Sequence, residues 1–480
     1  MNLGPVLLLV LPMFLGGLAY LLRNWRLVPP LLATGAALGL GLFLLLLPLG
    51  PSLEIGGRQV LLVSESVVVL GRELVLTQAD RLAMAFIFLT GAGLFFLAWR
   101  FDKSGLLPSI GLGMLGLLGA VLVVQPLVYA ALFLQIAAAL AVFPLHAEAT
   151  SARGGLRYLS FYTLALPGLL VSHWVLERYA VSPDQQAFLY TATVLIGLSF
   201  ALMLGIFPFH AWVPAVGADG APLTSAFLYT VVTSGVWFLL LDYLQIYPWL
   251  SAHRQWQPLL STIGSTTVIV GGLLGTTRRS PGALMGYAVM VDTGLAVVAL
   301  GQGTQRGIGL AIGLLFARAL GVLLMASGLE GLRRRSGEAR HLADGLGRQA
   351  PWSTLAVLVG GLSLAGFPPT VGFAARWGTL SAVLSSNPSM GLALLLASLG
   401  TAAGLLQLLA SLLQPPQTLP NTNENQEPGG KGGGSQEQEP LANKILLLAL
   451  VVAVLAFGIF PSPLAAAAGK VAALFTFFAP

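Results

Sequence analysis

The chain has 480 residues, is 56% apolar and only 9% charged, carries a formal net charge of +6 and contains no cysteine. Soluble domains carry about a quarter charged residues, so this composition excludes an ordinary soluble globule and points to a multi-pass membrane protein. Lack of cysteine excludes disulfides, thiol catalysis and cysteine-ligated iron–sulfur clusters on this chain.

The first apolar run, 4–22, has no charged residue before it, and Arg23-Asn24-Trp25-Arg26 follows it directly. It reads as a retained first helix rather than a cleaved signal. Further runs long enough to cross about 30 Å of hydrocarbon follow at 28–49, 79–99, 106–123, 127–147, 157–177, 187–215, 222–243, 258–275, 282–301, 307–329, 352–380, 389–413 and 443–461. The expected fold is therefore all-α and membrane-embedded, with about fourteen transmembrane helices. Between the second and third runs, Ser52–Leu76 mixes short apolar stretches with Gly56-Gly57 and Gly71 and reads as one or two β-hairpins outside the membrane. Gln414–Glu439, rich in Pro, Asn, Gln, Gly and Glu, reads as a flexible linker. The tail after Pro461 is apolar with a single Lys470 and suits the membrane interface.

Loop charge sets an orientation. Arg23, Arg26, Arg100, Lys103, Arg153, Arg157, Arg278, Arg279, Arg333, Arg334, Arg335, Arg340 and Arg348 fall on one side. Arg58, Arg72, Arg81, Arg178, Arg254, Arg306 and Lys470 fall on the other. The denser side is expected in the cytoplasm, which puts both termini outside. The basic balance then reflects loop topology, and no basic stripe with interleaved aromatics supports nucleic-acid binding.

Two spans are interrupted. The seventh contains Phe207-Pro208-Phe209-His210-Ala211-Trp212-Val213-Pro214, and the twelfth contains Gly366-Phe367-Pro368-Pro369-Thr370-Val371-Gly372-Phe373. Proline inside a helix frees backbone groups that lipid cannot satisfy, so both breaks are expected to face protein or water. Their separation of five spans is the pattern of paired repeats with broken helices at corresponding positions, a pointer to an ion path. Units of five helices enter the membrane from opposite sides, so the repeats are expected to be inverted. The expected division is 1–103, N-terminal helices and hairpin; 104–247, first repeat; 258–414, second repeat; 415–441, linker; and 442–480, last helix and tail.

The stretch Phe207–Leu228, FPFHAWVPAVGADGAPLTSAFL, resembles the PFHxWxPD…GAPTPVTAFL signature of the antiporter-like subunits of respiratory complex I. That family includes the Mrp cation/proton antiporters and the membrane-bound hydrogenases. Gly366–Trp377, GFPPTVGFAARW, resembles its second signature, G(I/L)PPxxGFxxK. The sequence near Pro214 looks most like the smallest complex I paralogue. The long lateral C-terminal helix of the largest such subunit has no counterpart here. The resemblance implies proton movement through each repeat, with a glutamate on the chain's fifth helix paired with a lysine on its seventh and further lysines on its eighth and twelfth helices. A desolvated lysine can lose its proton and a neighbouring carboxylate reverses that, so a movable pair acts as a switch.

This chain departs from that pattern. The helix-five glutamate position falls on Gln135, the helix-seven lysine position on Met203, the helix-eight position near Thr233, the helix-twelve lysine on Arg376, and the aspartate after Pro214 on Ala215. Loss of both partners in the first repeat is self-consistent, since removing one alone would strand a buried charge. In the second repeat Asp292 and Arg318 fall within the apolar runs of the tenth and eleventh helices. Asp292, Arg318, Arg376 and His210 are thus the candidate proton-path residues. Each also has a structural alternative: a static interhelical ion pair for Asp292 with Arg318, a structural pairing for Arg376, and for His210 a cap on backbone freed by Pro208. Glu148 is either a displaced carboxylate or an interfacial residue near Arg153. No GxxxxGK[ST] phosphate loop occurs.

The expected function is that of an antiporter-like membrane subunit of a complex I-related NAD(P)H or ferredoxin:quinone oxidoreductase, with a degenerate first half-channel. A non-conducting structural paralogue and a subunit of a multi-chain monovalent cation/proton antiporter are the alternatives. No catalytic residue, metal or cofactor is expected on the chain; electron transfer would belong to its partners. Expected partners are other membrane subunits, the bilayer and protons, with Na⁺ or K⁺ as further candidate ions. The host membrane is expected to be a bacterial plasma membrane or a thylakoid.

Overall fold

A computed structural model describes residues 4–46, 53–55, 58–61, 66–69, 71–101, 106–147, 149, 151–182, 184–252, 255–277, 280–335, 346–414 and 439–478. In chain order its helices are α1 Gly4–Leu21, α2 Val28–Leu46, α3 Gln78–Phe101, α4 Leu106–Val123, α5 Val128–Ala147, α6 Arg153–Val181, α7 Gln186–Leu204 and α8 Trp212–Asp219. There follow α9 Pro222–Phe227, α10 Thr233–Ile246, α11 Trp249–Ala252, α12 Trp256–Gly275, α13 Pro281–Leu300, α14 Gln305–Arg335 and α15 Leu346–Gln349. The last are α16 Pro351–Ala365, α17 Gly372–Ser386, α18 Pro388–Leu413, α19 Leu441–Ile459 and α20 Ser462–Ala472. A π-helical turn at Leu228–Val232 joins α9 to α10 in one continuous span.

Among the described residues, twelve helical segments are long and apolar enough to cross a bilayer, with shorter apolar helices at Pro5–Leu21 and Pro351–Ala365. Together these reproduce the fourteen expected spans, and the chain is a multi-pass membrane protein. Burial sorts the spans. Pro222–Ile246 and Pro281–Leu300 are buried along their full apolar windows, while only 28% and 17% of those of α6 and α19 are buried. A helix apolar on every side belongs in the centre of a bundle, and exposed Leu, Val and Phe on the rim face lipid.

The expected extramembrane hairpins form as two: β1 Leu53–Ile55 with β2 Arg58–Leu61, and β3 Ser66–Val69 with β4 Arg72–Val75. A two-residue strand, β5 Val124–Gln125, adds to the second hairpin in the register Glu73↔Gln125 and Leu74↔Val124. The Arg72 guanidinium lies 4.4 Å from the Tyr129 ring centre, tying this sheet to α5. Sequence reading missed β5, because two residues between long helices carry no strand periodicity.

Both interrupted spans are broken where the prolines fall. α7 ends at Gly205 and α16 at Gly366, with φ of 65° and 75°, conformations that glycine adopts without a Cβ clash. The bonds match. Ile206 N–H donates to Ala201 O at 3.0 Å and Gly205 N–H to Leu202 O; Phe367 N–H donates to Leu362 O at 3.0 Å and Gly366 N–H to Ser363 O. This is the helix-closing pattern in which a left-handed residue returns two N–H groups to orphan carbonyls. The peptide before the proline is cis at Pro208 and at Pro369. Gly205 and Gly366 therefore set a common frame, in which Ala215 and Arg376 occupy equivalent positions.

Glycines let the helices approach. A Cβ on Gly217 would overlap the Gly282 carbonyl and the reverse holds, so α8 and α13 touch backbone to backbone. At Gly264 and Gly294, facing each other across α12 and α13, the nearest backbone oxygen would lie 2.8 Å from an added Cβ. Small residues at helix crossings are how membrane bundles gain packing without a hydrophobic driving force.

The expected linker lies outside the described residues over 415–438. Glu439 is buried and accepts from Trp352 N at 3.2 Å, Ser353 N at 3.1 Å and Ser353 Oγ at 2.6 Å. It thereby satisfies the open N-terminus of α16, where a carboxylate is favoured. Arg100 Nη2 donates to Asn443 Oδ1 at 2.6 Å, which fixes the start of α19. The apolar tail is helical: α20 packs along α14, and Phe475 is fully buried.

Candidate functional site

Three charges sit in the centre of the second repeat. Asp292 comes from α13, Arg318 from α14 and Arg376 from α17, just beyond the second break, and all three are buried. Arg318 Nε lies 2.9 Å from Asp292 Oδ2, and Arg376 Nη2 lies 3.7 Å from Asp292 Oδ1. Arg318 Nη1 also donates to Thr293 Oγ1 at 3.2 Å. The carboxylate thus bridges two guanidinium groups that three separate helices bring together.

Arg376 has a second contact set. Its Nη1 donates to Ala365 O at 3.1 Å and its Nη2 to Leu364 O at 2.5 Å. Those carbonyls belong to the last turn of α16 and have no i+4 partner once the helix stops. In the first repeat the indole Nε1 of Trp212 donates to Leu202 O at 3.1 Å, a carbonyl that also accepts from Gly205 N–H. Ala215, in the Arg376 position, has no such donor. Phe207 N–H donates to Thr267 Oγ1 of α12 at 3.1 Å, and Gly372 N–H to Ser363 Oγ at 3.3 Å. Backbone freed by the breaks is therefore served within the protein.

Bidentate donation to two carbonyls with a carboxylate in reach suits a planar guanidinium better than a lysine ammonium. Arginine stays protonated in proteins, so the cluster holds one group that can gain or lose a proton, Asp292, between two fixed positive charges. Its formal charge with Asp292 ionised is one positive unit in a water-poor interior. Separating Asp292 from Arg318 would leave buried ions uncompensated, a cost of about 3–5 kcal/mol.

The other sequence candidates lie elsewhere. His210 sits in the first break, half-buried, with its ring stacked on Phe207 at 5.6 Å between centres. No hydrogen bond or ion pair among the described residues joins it to Asp292, Arg318 or Arg376. Gln135 on α5 donates from Nε2 to Thr163 Oγ1 of α6 at 2.8 Å. Met203 is buried in apolar packing, and Thr233 is buried with its hydroxyl donating to Tyr229 O at 2.6 Å. At these positions the first repeat presents an amide–hydroxyl bond and a buried thioether. Glu148 lies outside the described residues.

Besides Glu439, the buried carboxylates Asp80 and Glu330 and the half-buried Asp242 escaped the sequence reading. Asp80 closes a capping box at the start of α3, accepting from Thr77 N at 2.9 Å and Thr77 Oγ1 at 2.7 Å. Asp242, late in α10, lies within electrostatic reach of Asp80. Glu330 on α14 is buried beside Arg334, whose Nε is 3.3 Å away. Each stands near a span end, where a charge is unremarkable in sequence. The T-x-x-D spacing of Thr77 and Asp80 was the one legible signal.

The same architecture occurs in proteins that have been characterised. Residues 163–401, about half of the chain, match the family described as NADH:quinone oxidoreductase/Mrp antiporter, TM. NADH-quinone oxidoreductase subunit N 2 of Acidobacterium capsulatum is 27% identical over 271 residues, 53% of this chain and 55% of the relative. NADH-quinone oxidoreductase subunit N of Ectopseudomonas mendocina is 31% identical over 284 residues, 56% of this chain and 53% of the relative. The chain spans about half the length of the curated relatives it matches. In fold it is similar to a chain of the Mrp complex from Dietzia sp. DQ12-45-1b, with a TM-score of 0.77, 17% identity and coverage of 99% of this chain and 98% of that one. It is also similar to a chain of respiratory complex I from Thermus thermophilus, with a TM-score of 0.72, 22% identity and coverage of 99% and 100%. A bundle with two broken spans and a buried charge cluster at one of them defines an antiporter-like membrane subunit. The chain belongs to the NADH:quinone oxidoreductase/Mrp antiporter transmembrane family.

Proposed function

We propose that this chain is an antiporter-like membrane-arm subunit of a complex I-related NAD(P)H or ferredoxin:quinone oxidoreductase, and that it contributes to proton translocation through its second repeat. The observation that carries this reading is the buried Asp292–Arg318–Arg376 cluster at the second break, in a chain whose curated relatives bear the name NADH-quinone oxidoreductase subunit N. Ionisable groups within a bundle mark ion paths by default. Asp292 is the proton-accepting group. A charge displaced in a neighbouring subunit loosens its pair with Arg318, the carboxylate takes a proton, and re-pairing with Arg318 expels it. Arg376 holds the broken end of α16 and keeps a fixed positive charge 3.7 Å from the Asp292 carboxylate. The first repeat, with Gln135 and Met203 at the switch positions, supplies no titrating pair, and His210 relays protons only locally.

The bacterial sources of the relatives support a bacterial plasma membrane. The arginine-rich loops support a cytoplasmic location for that face and an external location for both termini. The host complex reconstituted in vesicles with a pH-sensitive dye tests the reading. D292N should cut donor-driven proton uptake severalfold while electron transfer by partner subunits persists.

A second reading is favoured by the two fixed arginines and by Gln135 and Met203: a paralogue that holds the complex together without conducting. Proton uptake unchanged in D292N, in a complex that still assembles, would decide for it. Proton flux driven by a monovalent cation without any electron donor would instead make the chain a cation/proton antiporter subunit.

A further inference from the structure

α14, α17 and α20 enclose an apolar groove of about 540 Å³. Its walls are small residues, among them Gly309, Gly313, Ala375 and Ala468. Arg306 stands at the rim, exposed and in the first turn of α14, with no ion-pair partner among the described residues. From Gln305 to Gly313 the groove follows α14 for about 12 Å at 1.5 Å per residue. Its deeper part is lined by Val371 and Phe457, next to the second break, where Gly458 abuts the Pro369 carbonyl. Its outer end lies where Gln305 donates to Ala472 O. The groove therefore descends from a helix terminus to the depth of the broken helix, the path an acyl chain takes through one leaflet.

Charge selects the occupant. The rim presents a guanidinium and the N-terminal end of a 31-residue helix, both of which favour a phosphate. Below them the lining is almost wholly hydrocarbon. A neutral lipid or quinone would use the apolar part and leave Arg306 unanswered.

We propose that this groove holds one acyl chain of an anionic phospholipid, with its phosphate at Arg306 and its tail between α14, α17 and α20. The site follows from the membrane location alone and does not depend on proton conduction.

The test uses the full-length chain in whatever complex it purifies with, delipidated in detergent and followed by native mass spectrometry. Dioleoylphosphatidylglycerol and dioleoylphosphatidylcholine, which share acyl chains, are titrated separately. A Cβ at Gly309 meets nothing closer than 3.8 Å, so G309F puts a ring into the groove without a clash at its Cβ. It should remove one tightly held phosphatidylglycerol. R306Q should lower phosphatidylglycerol affinity about fivefold and leave phosphatidylcholine unchanged. Undiminished phosphatidylglycerol stoichiometry in G309F overturns the proposal. So does equal loss of both lipids in R306Q, or displacement of phosphatidylglycerol by an equimolar isoprenoid quinone. Should G309F fail to fold, the surface variant R306Q decides alone.

Discussion

At the scale of single residues, Asp292 and Arg376 show how one side chain can serve two needs. Arg376 faces a carboxylate and also closes a broken helix, so its removal has two separable consequences. R376Q should destabilise the protein because it leaves the Leu364 and Ala365 carbonyls short of donors as well as stripping a charge. R376K should recover charge and only part of the stability, read as an unfolding midpoint in detergent between those of R376Q and wild type. D292N leaves two buried guanidinium groups facing each other, and a loss of about 3–5 kcal/mol is expected. Combining D292N with R318M should recover stability relative to D292N, because the repulsion goes with the second charge. A double variant no more stable than D292N would contradict the pairing. In the first repeat, W212F removes one of two donors to the Leu202 carbonyl, and about 0.5–1.5 kcal/mol should be lost without any change of charge.

At the scale of elements, the breaks and the glycine crossings decide how closely helices meet. G282V should separate α8 from α13, since its side chain would collide with the Gly217 carbonyl, and the unfolding midpoint should fall. Gly113 and Gly197 have nothing near an added Cβ, so G113A and G197A should leave the midpoint nearly unchanged. Equal effects at both kinds of site would show that helix propensity, not close approach, governs these glycines. Much of this level was legible in the sequence. Long apolar runs gave the spans because lipid demands them, and Pro208 and Pro369 gave the breaks because proline cannot continue a helix. Asp292, Arg318 and Arg376 stood out singly, as charges in apolar runs. Their meeting did not, because three helices far apart in sequence must converge before it exists. The cap duties of Trp212 and Arg376 were hidden for the same reason. So was the docking of α20, which a sequence of alanines and one lysine does not disclose.

At the scale of the whole molecule, two five-helix units share one backbone design and differ in what fills it. The first carries the amide of Gln135, the thioether of Met203 and the indole of Trp212; the second carries the carboxylate of Asp292 and the guanidinium groups of Arg318 and Arg376. The buried arginines that pair with a carboxylate thus lie, among the described residues, in the second unit. The rest of the bundle is closed by contacts at both ends. Glu439 and Asn443 anchor the last helix at one end, while Gln305 with Ala472 and Gln245 with Thr476 anchor the tail at the other. E439A should open the α16 terminus and release α19, and limited proteolysis should then remove the C-terminal segment sooner than in wild type.

That set of anchors has a genetic consequence. The last helix and tail are held by side chains from Glu439 to Thr476, so their seating is secured by contacts made outside 415–438. A reading frame interrupted there would encode the bundle as two polypeptides, the shorter able to find its seat in trans once both are inserted in the same membrane.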